Sequence, residues 1–83
     1  MEYKSIKQIA EKLSLPYQEV TSKEVQQVLK KLGYLDRYNT PTLKAIVSNA
    51  YIIGQFKGRE YFKWSEDVEM EVVETIYNQR NNK

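Results

Sequence analysis

The stretch "TSKEVQQVLKKLGYL", residues 21–35, constrains this chain more than any other. Thr21 followed three positions later by Glu24 is a capping-box start. Val25, Val28, Leu29 and Leu32 then fall at i, i+3, i+4 and i+7, so one face of a helix is apolar and must be buried. Gly33 stands where a left-handed C-cap ends such a helix, and Tyr34 and Leu35 return to the core. A single apolar stripe leaves the opposite face outside. Ser22, Lys23, Gln26, Gln27 and Lys30 therefore look at solvent, at DNA or at another protein.

The other elements arrange themselves around this helix. "SIKQIAEKL" repeats the capping box with Ser5 and Gln8, and it places Ile6, Ile9, Ala10 and Leu13 on one face. Pro16 breaks the helical pattern, with Tyr17 and Val20 packing over the gap. Thr40 as N-cap and Pro41 at the first helical position predict a third helix of two to three turns, with Leu43, Ile46, Val47 and Ala50 at helical period. "YIIGQFKGREYFKW" switches to strand chemistry around "KG", a hairpin turn. Ile52 and Phe56 share one face of its first strand, and Phe62 and Trp64 share one face of its second. Ser65 caps a last helix with Glu66 and Asp67 in the first turn, Val68, Val72, Val73 and Ile76 inward, and Glu69, Glu71 and Glu74 outward. The tail "NQRNNK" is expected to fray, giving one domain over residues 1–77 and a tail over 78–83. The fold class is mainly α with a small β-hairpin, an α+β arrangement ordered helix, helix, helix, hairpin, helix.

Composition narrows the chemistry. The 83 residues include no cysteine and no histidine, which removes disulfides, thiolate nucleophiles and the commonest general base and metal ligand. No glycine-rich phosphate loop is present, so neither catalysis nor a cofactor or metal is expected. The acidic run "SEDVEMEVVE" lacks the glycine turn and alternating oxygen donors of a calcium loop. No apolar run reaches the ~20 residues of a membrane span, and the N-terminus has no signal-peptide pattern, which points to a cytoplasmic protein. The net charge of +2 is unevenly spread: residues 1–64 hold eleven Lys and Arg against six Asp and Glu, and residues 65–83 hold two against five. A basic body and an acidic last helix result.

Two short stretches carry a family likeness. "LKKLGYLDRYNTPT" resembles the helix end and N-x-P-T signature of the KilAC-type C-terminal domain of phage antirepressors, and "KGREYF" resembles that family's "KGQQYF" segment. "YFKWSEDVEMEV" is similar to the strand and helix that close small phage-encoded winged-helix regulators. Leu43 departs from the family's usual glutamine, the segment before the hairpin is shorter, and the separate N-terminal domain of antirepressors is not in this sequence. The resemblance implies a winged helix-turn-helix variant of phage or mobile-element origin with a regulatory role in a bacterial host.

On that fold the second helix enters the major groove of double-stranded DNA. Glutamine pairs bidentately with adenine, lysine with guanine, and serine reaches bases or phosphate, so Ser22, Lys23, Gln26, Gln27 and Lys30 form the expected reading face. Lys57 and Arg59 at the hairpin tip are candidates for the flanking phosphates, with Lys4 and Lys7 as weaker ones. The modest body charge favours a homodimer on DNA, with the last helix as the expected contact. The alternative is a protein-binding module that inhibits a host or phage protein, with Glu69, Glu71 and Glu74 as its contact residues.

Overall fold

A computed structural model of the protein describes residues 2–14 and 19–81. In chain order it contains β1 (Tyr3–Ser5), α1 (Ile6–Ser14), α2 (Ser22–Leu32), α3 (Leu43–Val47), β2 (Tyr51–Phe56), β3 (Arg59–Ser65) and α4 (Glu66–Asn81). The helices and hairpin follow the order read from the sequence, and the α+β class holds. The expected break at Pro16 and the packing of Tyr17 lie outside the described residues.

The capping chemistry forms as the residue types dictate. Ser5 Oγ accepts the Gln8 amide at 3.2 Å while Gln8 Oε1 accepts the Ser5 amide at 2.9 Å, a reciprocal capping box. Thr21 Oγ1 accepts the Glu24 amide at 3.1 Å. At the far end of α2, Gly33 takes φ 90°, and the amides of Gly33 and Tyr34 donate to Lys30 and Leu29 carbonyls. This is a Schellman closure, and a side chain at residue 33 would strain it. Ser65 Oγ accepts the Val68 amide at 3.4 Å at the start of α4.

The core lies where α1, α2 and α4 meet one face of the sheet. Ile9, Leu13, Val25, Leu29, Val72 and Ile76 are buried there, and Trp64 is fully enclosed beside them. Trp64 packs against Tyr34 and Tyr51, with centroids 6.3 and 5.7 Å away, and Tyr51 meets Phe62 edge-on. The apolar stripe of α4 is thus consumed in closing the core, and it is not free for the dimer contact expected of it.

Four sequence expectations need correction. First, β1 was not anticipated. It pairs antiparallel with β3 through Tyr3 with Ser65 and Ser5 with Lys63, which makes β3 the centre of a sheet ordered β1-β3-β2. Second, the third helix starts two residues later and is only five residues long. Thr42, not Thr40, accepts the Ala45 amide, because Pro41 is held in a bridge with Leu35. Its side chains Leu43, Ile46 and Val47 are exposed and Ala45 alone turns inward, with Ala50 buried beyond its end. Third, α4 runs on to Asn81 rather than fraying from residue 78, since Arg80 bonds the Glu19 carbonyl at 2.8 Å and Glu24 at 2.9 Å. Fourth, Glu69 does not face outward. It is buried at 5 % exposure, with Lys4 at 3.1 Å and Lys12 at 3.4 Å.

Candidate nucleic-acid interface

Burial of Val25, Val28 and Leu29 fixes the rotation of α2 and decides which of its side chains remain outside. Ser22, Lys23 and Gln27 are exposed, and Gln26 and Lys30 are half-buried. Among the described residues none of these five side chains makes a hydrogen bond or ion pair. The carboxylate of the helix behaves differently. Glu24 forms its ion pair with Arg80 of α4 instead of bonding back to the Thr21 amide. The capping box is therefore half realised, and the exposed side of α2 carries lysines and amides without a competing carboxylate. The positive N-terminal end of the helix dipole adds to the same field.

The hairpin borders the same surface. Gln26, the junction of β1 and α1 (Ser5 to Gln8) and Phe56, Glu60 and Tyr61 line a shared groove of about 620 Å³. Lys7 is exposed at its rim. The tip itself turns through Lys57 at φ 51° and Gly58 at φ 78°, two successive left-handed residues that match the twist of a two-residue hairpin. The Lys57 ammonium lies 5.4 Å from the Phe56 ring, and Arg59 is exposed and has no ion pair among the described residues. Lys4, the other weak phosphate candidate, is taken out of contention. The carboxylate of Glu69 accepts its hydrogen bonds and holds its ammonium above the usual lysine range.

The acidic alternative set is brought together only in part. Glu69 is buried against two lysines, and Glu71 accepts the hydrogen bond of the Tyr34 hydroxyl, leaving Glu74 exposed. Burial, and then that bond to Glu71, push the Tyr34 phenol up to about 12. Sequence reasoning missed this internal use, because the partners lie 65 and 37 positions away. The turn expected ahead of the third helix forms over residues 36–40, and its hydrogen bonding is what the sequence reading left out. Asp36 Oδ1 accepts the amides of Tyr38 and Thr40, which lifts Tyr38 into solvent with Arg37 stacked 4.9 Å from its ring. The D-x-Y-x-T spacing, an Asx-turn pattern, was the available signal.

Among the described residues no group of three or more acidic side chains converges as a metal site. No helix among them is long and apolar enough to cross a membrane. Compared with family models, curated proteins and solved structures, the chain matches none.

Proposed function

We propose that this chain is a double-stranded-DNA-binding regulator that reads the major groove with α2 and steadies itself on the backbone with the β2–β3 hairpin. The observation that carries the reading is the diversion of Glu24 to Arg80, which leaves Lys23, Gln26, Gln27 and Lys30 outward with no unpaired carboxylate on α2 itself. Gln26 and Gln27 suit adenine edges, and Lys23 and Lys30 suit guanine or phosphate. Lys57 and Arg59 suit the flanking phosphates, which orient the protein without specifying sequence. The likeness to phage antirepressor and small winged-helix segments supports a phage or mobile-element setting, with action in the cytoplasm of a bacterial host.

Inhibition of another protein through Glu69, Glu71 and Glu74 has less behind it, since two of those three carboxylates have partners inside the fold.

The test is a titration of labelled DNA from the chain's own genomic neighbourhood against unrelated DNA at two salt concentrations. Selective binding that weakens steeply with salt is expected. Gln26→Ala should weaken it by about 1–3 kcal/mol and relax the sequence preference. Arg59→Ala should weaken binding to all sequences alike and lower the salt slope by about one. Equal affinity for every DNA, or none for any, would sink the reading.

A further inference from the structure

The sheet has two edges, and they are protected very differently. The β1 edge is three residues long and carries Lys4, a short charged edge of the kind that discourages pairing. The β2 edge is six residues, "YIIGQF", with no charge and no proline. Among the described residues no strand pairs with its outer side. Ser65 donates to the Ala50 carbonyl, and Phe56 sits opposite Arg59 across the turn, so the even-numbered residues of β2 bond inward to β3. Alternation then leaves the N–H and C=O groups of Tyr51, Ile53 and Gln55 pointing out of the sheet.

Apolar side chains surround that open edge. Ile52 and Ile53 are 44 % and 53 % exposed although they point to opposite faces of the sheet, and Phe56 is 65 % exposed. Ile46 of α3 lines a shallow depression with both isoleucines, and Leu43, one turn before it, and Val47, next to it, are exposed as well. Exposed apolar side chains gathered beside an open strand edge mark a contact surface.

We propose that β2 pairs antiparallel with β2 of a second copy of this chain, joining two three-stranded sheets into one. The register follows from which groups face out. A two-fold axis at Ile53 sets Ile53 against its own copy and Tyr51 against Gln55, and each of these pairs exchanges both backbone hydrogen bonds. The choice of a second copy rests on charge and fit. The strand has no charge to repel itself, and its exposed isoleucine meets an identical isoleucine at the axis. Phe56 of each copy then comes opposite Ala50 of the other, at the end of the exposed α3. A contact through one six-residue strand and the exposed side chains beside it is a small one, so the dimer forms and dissociates with concentration. The two hairpin tips would lie roughly 30 Å apart along the joined strands, close to the ~34 Å of one DNA turn. That correspondence rests on the DNA reading, whereas the dimer itself does not.

The test is made without DNA, so its outcome is separate from that of the DNA titration. Sedimentation equilibrium of the full chain should show a concentration-dependent dimer. Ile53→Lys, which sets two like charges directly opposite at the axis, should weaken it at least ~10-fold, with far-UV circular dichroism unchanged. Met70→Lys on the exposed side of α4 should leave it intact. The sequence has no cysteine, so Ile53→Cys offers a single thiol, and mild oxidation should give a covalent dimer that Met70→Cys does not. A chain that stays monomeric overturns the proposal. So does a dimer abolished by Met70→Lys but not by Ile53→Lys, or one that Ile53→Cys fails to crosslink.

Discussion

Helices α2 and α4 look alike on paper, each an apolar stripe backed by charged and polar residues, yet they put their polar faces to opposite uses. Two of the five carboxylates of α4 are used inside the fold. Glu69 holds Lys4 and Lys12, and Glu71 holds the Tyr34 hydroxyl. The polar side chains on the exposed face of α2 have no such partners, and its one carboxylate is drawn off to Arg80. The difference separates charge that builds the fold from charge left over for a ligand. A buried carboxylate needs its partners to offset desolvation, whereas a half-exposed lysine is solvated already and stays available.

That contrast can be broken from either side. The largest effect is expected at Glu69. Glu69→Ala leaves two lysines without their acceptor and should cost about 1–3 kcal/mol, read from the urea midpoint. Glu74→Ala, on the exposed side of the same helix, should change it by less than about 0.5 kcal/mol. If the two variants melt alike, the inward reading of α4 fails.

Next comes Tyr34→Phe, which should cost about 1 kcal/mol near neutral pH by removing the bond to Glu71. Its alkaline behaviour is more diagnostic. The folded phenol sits at about 12 against an ordinary 10.0, so the folded state holds this proton more tightly than the unfolded chain. The stabilisation is complete below pH 10.0 and is lost as pH rises from there through about 12. The raised Lys4 acts in the same direction. Denaturation midpoints followed into this range should fall less steeply for Tyr34→Phe than for the parent chain.

Smaller still is Arg80→Ala. Stability should drop by only about 0.5 kcal/mol, as befits a half-exposed ion pair. Affinity for DNA should nevertheless fall several-fold, because Glu24 regains an unpaired charge beside the lysines of α2. An Arg80→Ala variant that binds DNA as well as the parent would detach the reading face from that ion pair. Smallest of all on stability is Lys30→Ala, expected within about 0.5 kcal/mol of the parent while weakening DNA binding.

Local chemistry was legible wherever a few neighbouring residues decide the outcome. The reciprocal Ser5–Gln8 box, the Thr21 cap, the Gly33 closure and the Ser65 cap each depend on side chains within four positions, and each forms. The rotation of α2 followed from its stripe, so the outward placement of Ser22, Lys23 and Gln27 was readable too. What escaped depends on distant pieces of chain. Three residues of β1 show no strand period, and their partners are residues 63–65. The burial of Glu69 was hidden because helical spacing alone makes it look solvated, and only Lys4 and Lys12 from the other end of the chain reverse that. The third helix misled for a different reason. Its Leu43, Ile46 and Val47 have the spacing of a buried stripe, but the helix is too short and lies too near the open sheet edge to bury it.

The position of β1 has a consequence for how the chain is born. Its strand partner lies some sixty residues downstream, Lys4 waits for Glu69, and Glu19 and Glu24 wait for Arg80. These contacts each span most of the chain, so the order of synthesis delays the moment of folding. The first two helices leave the ribosome before the sheet and α4 that complete the cover of their apolar faces. A nascent chain arrested before residue 64 should be sensitive to protease, and release of α4 should confer resistance in a single late step.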